Sequence, residues 1–111
     1  MRSQLRKRVC FLLKVKPHLL AEYKRRHQDV WPEMIDALTK AGWHNYSLFL
    51  RNDGLLIGYL ETSDFRRALQ RMAQTEVNKR WQTEMAEFFE LAPGCKADEQ
   101  MTPIPEVFHL P

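Results

Sequence analysis

The segment at residues 22–33, EYKRRHQDVWPE, gathers the side chains best suited to proton transfer. In a helix, Tyr23 and His27 lie four residues apart and share a face. A phenol then stands beside an imidazole, and both groups donate and accept hydrogen bonds. An imidazole with an unperturbed pKa of roughly 6.5 gives and takes protons near neutrality. Trp31 follows one turn later, and Pro32 marks a break in the helix. A proton-transfer residue between aromatic rings suits the floor of a site for a small polar ligand. The same spacing also fits a hydrogen-bonded helix histidine beside core aromatics, and spacing alone leaves both readings open.

Other chemistries lack their residues. The four histidines, His18, His27, His44 and His109, form no HExxH, and Cys10 and Cys95 are far apart. Neither supplies a close metal-ligand spacing. No GxGxxG or GxxxxGK[ST] phosphate cradle occurs, and no GxSxG elbow. Acid–base chemistry without a metal or organic cofactor remains. His44 and His109 read as structural hydrogen-bonding groups, Trp31 as the anchor of the helix break, and Glu33 as a carboxylate favoured at a helix N-terminus.

The elements that must position these groups follow from patterning. With 111 residues, 44% hydrophobic and 28% charged, the chain reads as one soluble globular domain over residues 1–111. The net charge of +3 comes largely from the stretch Arg2 to Arg8 and from Lys24, Arg25 and Arg26. No interleaved aromatics accompany these basic residues, so a nucleic-acid partner is not indicated. No apolar run approaches the roughly 20 residues that span a bilayer. Two distant cysteines are too few for a disulfide framework, which points to reduced thiols in a cytoplasmic protein.

Residues 8–15 read as a buried strand. A helix opens at Pro17 and carries Leu20, Tyr23 and His27 on one face. A second helical piece restarts at Pro32, with Ile35, Leu38 and then Trp43 toward the core and Gly42 as its stop. Residues 45–51 and 55–61 read as strands joined by Asn52-Asp53-Gly54, a strong hairpin signal. Helical stripes follow from Ser63 and from Thr75, ending at Pro93-Gly94. Val107 to Leu110 then reads as a closing strand. The order is strand, helix, strand, strand, helix, strand, the split βαβ or ferredoxin-like α+β arrangement with one antiparallel sheet. The two middle strands are apolar at more positions than one face needs. A cavity or a second subunit must cover the remainder, which predicts a homodimer.

The chain resembles the L-rhamnose mutarotase family. The resemblance rests on EYKRRH at 22–27, WPE at 31–33, HNYSLFL at 44–50, RW at 80–81 and EVFHLP at 106–111. It implies a dimeric α/β-barrel enzyme that interconverts the α and β anomers of a 6-deoxy-L-sugar without a cofactor. His27 matches the family's proton donor. Tyr23 and Tyr46 match sugar-binding tyrosines, and Trp81 matches the first of two adjacent tryptophans that line the sugar pocket. Gln82 holds the place of the second. An amide there exchanges an apolar surface for hydrogen-bonding groups, so the sugar could be L-rhamnose or its relative L-fucose. A cofactor-free oxygenase on the same fold and a non-catalytic sugar-binding protein are the rival classes.

Overall fold

The computed structural model describes residues 5–111; Arg2, part of the basic stretch, lies outside them. Three strands form one antiparallel sheet: β1 (Lys7–Lys14), β2 (His44–Leu50) and β3 (Leu55–Thr62), in the order β1-β3-β2. Four helices accompany it: α1 (Leu20–His27), α2 (Pro32–Ala41), α3 (Phe65–Ala73) and α4 (Glu76–Met85). The expected α+β arrangement is therefore present, with boundaries close to those that the pattern gives.

Strand alternation sends one set of side chains into the core. Val9, Phe11 and Leu13 of β1 and Leu56, Leu60 and Thr62 of β3 are buried. The register places Phe11 opposite Gly58. A Cβ at Gly58 would collide with the Phe11 ring, so the glycine makes room for that ring at the centre of the sheet. The hairpin forms as expected: Gly54 takes a φ of 99° and donates to the Arg51 carbonyl at 2.9 Å.

The helix ends follow local chemistry. Pro32 opens α2, and Gly42, at a φ of 97°, closes it in a left-handed conformation. Thr75 caps α4 as expected, its hydroxyl accepting from Asn78 N at 3.3 Å. At α3 the cap is Asp64, one residue beyond Ser63; its carboxylate accepts from Arg67 N at 3.1 Å. The last helical stripe stops well before Pro93-Gly94, in a short 3-10 turn at Ala86–Phe88. Ile35 does not face the core; it is 54% exposed, and Met34 takes the buried position.

One expected element is absent. Residues 107–110 form no strand, and Val107, Phe108 and Leu110 are 95%, 78% and 79% exposed. The approach to this tail meets the free edge of β1 at one backbone bond, from Ile104 N to Cys10 O at 2.8 Å. Pro103 and Pro105 flank Ile104 and have no N–H to extend that pairing. A salt bridge from Arg8 to Glu106 at 2.9 Å is the next tether, and beyond it the tail has no strand to pair with.

Candidate active site

A cavity of about 670 Å³ lies between the inner sheet face and the helices. Its walls are mostly apolar, with Leu48, Leu50, Leu56, Leu69, Met72 and Met85 among them. That size and lining suit a small-molecule site with a few convergent polar groups. All five residues singled out from the sequence, Tyr23, His27, Tyr46, Trp81 and Gln82, line this one cavity.

Helix α1 supplies the titratable pair. Tyr23 and His27 are one turn apart, and their ring centroids are 4.1 Å apart. His27 Nδ1 lies 2.9 Å from the Tyr23 carbonyl oxygen. A carbonyl only accepts, so Nδ1 carries the proton and donates. Nε2 is then the nitrogen with a lone pair in the neutral ring. Burial lowers the His27 pKa from its ordinary value, and the bond to the Tyr23 carbonyl opposes that shift. The resting side chain at neutral pH is therefore a neutral imidazole with a fixed tautomer.

The α1 helix is tied to its surroundings. Glu22 accepts from Arg25 and from Arg26, which together hold its carboxyl down to about 2. Arg26 also reaches Glu84 of α4 at 3.4 Å and lies over the Phe88 ring. These contacts orient the helix; the salt bridges are exposed and contribute little energy individually.

The phenols differ from the imidazole. Burial raises the Tyr23 pKa, with the nearby Tyr46 as a further cause, and burial raises that of Tyr46. Both stay protonated at any physiological pH, so they act as hydrogen-bonding groups and not as bases. Tyr23 is only 4% exposed, yet among the described residues its hydroxyl has no protein partner. Its ring is wedged between His27 and the edges of Phe88 and Phe89.

Tyr46 reaches the cavity by strand alternation, on the same face as Leu48 and Leu50, and β2 is irregular just before it. His44 pairs with Glu61 and Ser47 with Tyr59, so three steps on β2 match two on β3. This bulge, with Asn45 at a φ of 47°, pairs His44 with Glu61 on the outer face, while Tyr46 keeps the inner face beside Trp43 and Phe11. The sequence hint of the bulge was Asn45, since asparagine tolerates positive φ better than most residues.

Helix α4 forms the other wall. Trp81 meets His27 edge-on at 5.5 Å and Trp31 edge-on at 5.0 Å. Trp31 itself does not line the cavity. It sits at the start of α2, under Arg80, and supports Trp81 from behind. Glu33 is in the first turn of α2 as expected and also pairs with Arg80 at 3.3 Å. His44 and His109 lie away from the cavity.

Asn78 and Asp98 were not singled out from the sequence. Gln82 Nε2 donates to Asn78 Oδ1 at 3.3 Å, Asn78 Nδ2 donates to Asp98 Oδ2 at 3.0 Å, and Asp98 N donates to Gln82 Oε1 at 3.4 Å. The three groups close a ring. It pins the 3-10 turn Ala97–Gln100 to α4 and so to the cavity rim. The i, i+4 spacing of Asn78 and Gln82 was a visible hint, but Asp98 is 16 residues further on. Among the described residues no three His, Cys, Asp or Glu side chains come together as a metal site would need.

A sequence-family profile described as L-rhamnose mutarotase matches residues 8–110. An L-rhamnose mutarotase of Oceanobacillus iheyensis is 37% identical over 109 residues, covering 94% of this chain and 98% of the relative. One from Bacillus subtilis is 43% identical over 94 residues, covering 80% and 84%. The crystal structure of an L-rhamnose mutarotase from Formosa agariphila superposes with a TM-score of 0.76 at 27% identity, covering 95% of this chain and 99% of that one. A conserved protein of Methanosarcina mazei, at 20% identity and a TM-score of 0.56, shares the fold.

Proposed function

The chain belongs to the L-rhamnose mutarotase family, and on that premise we propose how its cavity interconverts the α and β anomers of L-rhamnose. It is an isomerase acting on a carbohydrate. The observation that carries the mechanism is the His27 imidazole, fixed by its Nδ1–H bond to the Tyr23 carbonyl inside the cavity.

Anomer exchange breaks the bond between C1 and the ring oxygen. The anomeric hydroxyl loses a proton, the ring oxygen gains one, and the open aldehyde forms with no net change in protons. Rotation about the C1–C2 bond presents the other carbonyl face, and the ring closes by the reverse steps. With Nδ1 committed, Nε2 is the atom that exchanges protons with the sugar. As imidazolium, His27 delivers a proton to the ring oxygen; its lowered pKa makes it a readier donor. As neutral imidazole it takes a proton back from a hydroxyl. Such a group contributes about 10²–10⁴ in rate.

Tyr23 and Tyr46 hydrogen-bond sugar hydroxyls as neutral phenols. Trp81 offers a rigid apolar surface to the ring face or the methyl group. Gln82 belongs to the α4 wall of the sugar site. No cofactor takes part in this reading.

The reading extends to assembly. The outer sheet face exposes Leu12 and Phe49, and the tail exposes Val107, Phe108 and Leu110. A second copy of the chain covers them in a homodimer, because such apolar surface is unfavourable in water. Among the described residues no helix is long and apolar enough to cross a membrane. The two free thiols, Cys10 and Cys95, suit a reducing cytoplasm.

Saturation-difference proton NMR of anomer exchange, run on L-rhamnose and L-fucose in parallel, tests the assignment. Faster exchange of L-rhamnose is the expected result. Faster exchange of L-fucose would move the substrate, and no acceleration of either sugar would overturn the activity.

A further inference from the structure

The position where the family's second tryptophan gives way to Gln82 raises the question of what meets the sugar there. The side chain does not answer it alone. Each end of the Gln82 amide already has a protein partner, Asn78 Oδ1 at one end and the Asp98 backbone at the other. Gln82 is 7% exposed and Asn78 3%, so both are built into the wall.

Asp98 closes the ring, between the cavity and a smaller pocket that Lys79 and Lys96 also line. It is half-buried and lines the cavity beside Trp81, Gln82 and Met101. Asn78 Nδ2 occupies its Oδ2. Among the described residues nothing donates to Oδ1. An ionised carboxylate is an acceptor only and has about four lone-pair sites, so capacity remains for further donors. Sugar hydroxyls are such donors. A hydroxyl bonded to a carboxylate is shorter and roughly twice as strong as a neutral pair. Among the described residues that line the cavity Asp98 is the one carboxylate and Lys24 the one lysine; Tyr23, Tyr46 and Asn78 are neutral, and His27 is neutral at rest.

We propose that Asp98 is a sugar-binding and specificity-determining residue, its carboxylate accepting a ring hydroxyl of the bound 6-deoxy sugar, with Asn78 and Gln82 as positioning residues that hold it there. This rests on the mutarotase reading and deepens it. A pocket built to accept from one hydroxyl discriminates by that hydroxyl's orientation, because the wrong epimer leaves the carboxylate unpaired. The substitution at position 82 thus replaces an apolar contact with a scaffold for a charged one contributed by a different segment.

The variant Asp98→Asn tests the charge while keeping an oxygen for Asn78 to donate to and leaving the backbone bond to Gln82 unchanged. Sugar affinity is measured by calorimetric titration, apart from turnover, with L-rhamnose and its 2-, 3- and 4-deoxy analogues. A lost bond to a charged group is expected to weaken L-rhamnose binding about 10-fold or more. The penalty should vanish for the one analogue that lacks the contacted hydroxyl. Thermal unfolding of Asp98→Asn reports any structural loss separately. A penalty equal for every analogue, or none at all, overturns the proposal. Tight binding of L-rhamnose by the unmodified protein without faster anomer exchange would overturn the mutarotase reading and leave the Asp98 result standing.

Discussion

The two walls of the cavity are built differently. The α1 wall gets its chemistry from one helical turn: Tyr23 and His27 stand four residues apart, and the bond that fixes the imidazole tautomer runs to the backbone of that same turn. The α4 wall gets its polar surface from a ring that joins Asn78 and Gln82 to Asp98, across 16 to 20 residues and a loop. A local pair is specified by spacing and tolerates change elsewhere. A long-range ring depends on every segment that delivers its members. The difference separates a pair set within one helical turn on one wall from a polar surface assembled across distant segments on the other.

The sharpest way to break this division is on the α1 side. His27→Asn keeps a side chain of similar reach but cannot exchange protons, so kcat for anomer exchange should fall about 10²- to 10⁴-fold. NMR exchange rates check it, with circular dichroism to show that the fold is retained. Full activity would move the chemistry off this wall. On the α4 side, Gln82→Trp installs the indole that the family resemblance implies there but forces a larger ring into a buried site and opens the hydrogen-bonded ring of Asn78, Gln82 and Asp98. A loss of about 1–3 kcal/mol is expected in urea unfolding. Unchanged stability would mean that the ring does not hold the Ala97–Gln100 turn.

A smaller effect belongs to Tyr23→Phe, which keeps the aromatic packing against Phe88 and Phe89 and removes one hydroxyl. Loss of a neutral hydrogen bond worth about 0.5–1.5 kcal/mol corresponds to roughly 2- to 10-fold in kcat/KM. A loss as large as that of His27→Asn would make the phenol part of the proton relay. The mildest test is pH. The folded His27 pKa lies below the ordinary value, so between the two the unfolded chain binds more protons. The stability gained by keeping the ring neutral is complete above about pH 6.5 and declines as pH falls toward the folded pKa. NMR titration of the ring protons should give a midpoint below 6.5, and a midpoint above it would show that an unseen anion faces His27.

Much of the fold was legible because its signals are local. Pro17, Pro32, Gly42, Gly54 and Thr75 each mark a boundary by backbone chemistry, and the structure uses each near the expected place. The closing strand was misread because a strand is defined by its partner. Val107 to Leu110 has the composition of a strand, but Pro103 and Pro105 limit pairing with β1 to a single bond. Tyr46 was assigned to the site through family resemblance alone; by pattern it was an ordinary strand residue, and its place beside Leu48 and Leu50 becomes a site position only where the helices close a cavity over that face.

The sequence by itself determined the order of elements, the core pattern, the Tyr23/His27 pair and the family. These depend on spacing within a turn or on residue types at a turn, which a linear reading contains. Tertiary structure decided that Tyr46 and Trp81 meet His27 in one cavity, that Gln82 is engaged with Asn78, and that Asp98 stands beside them. Those outcomes depend on strand register and on a loop returning to α4. Distances across such separations follow from packing of the whole chain, and no local spacing encodes them.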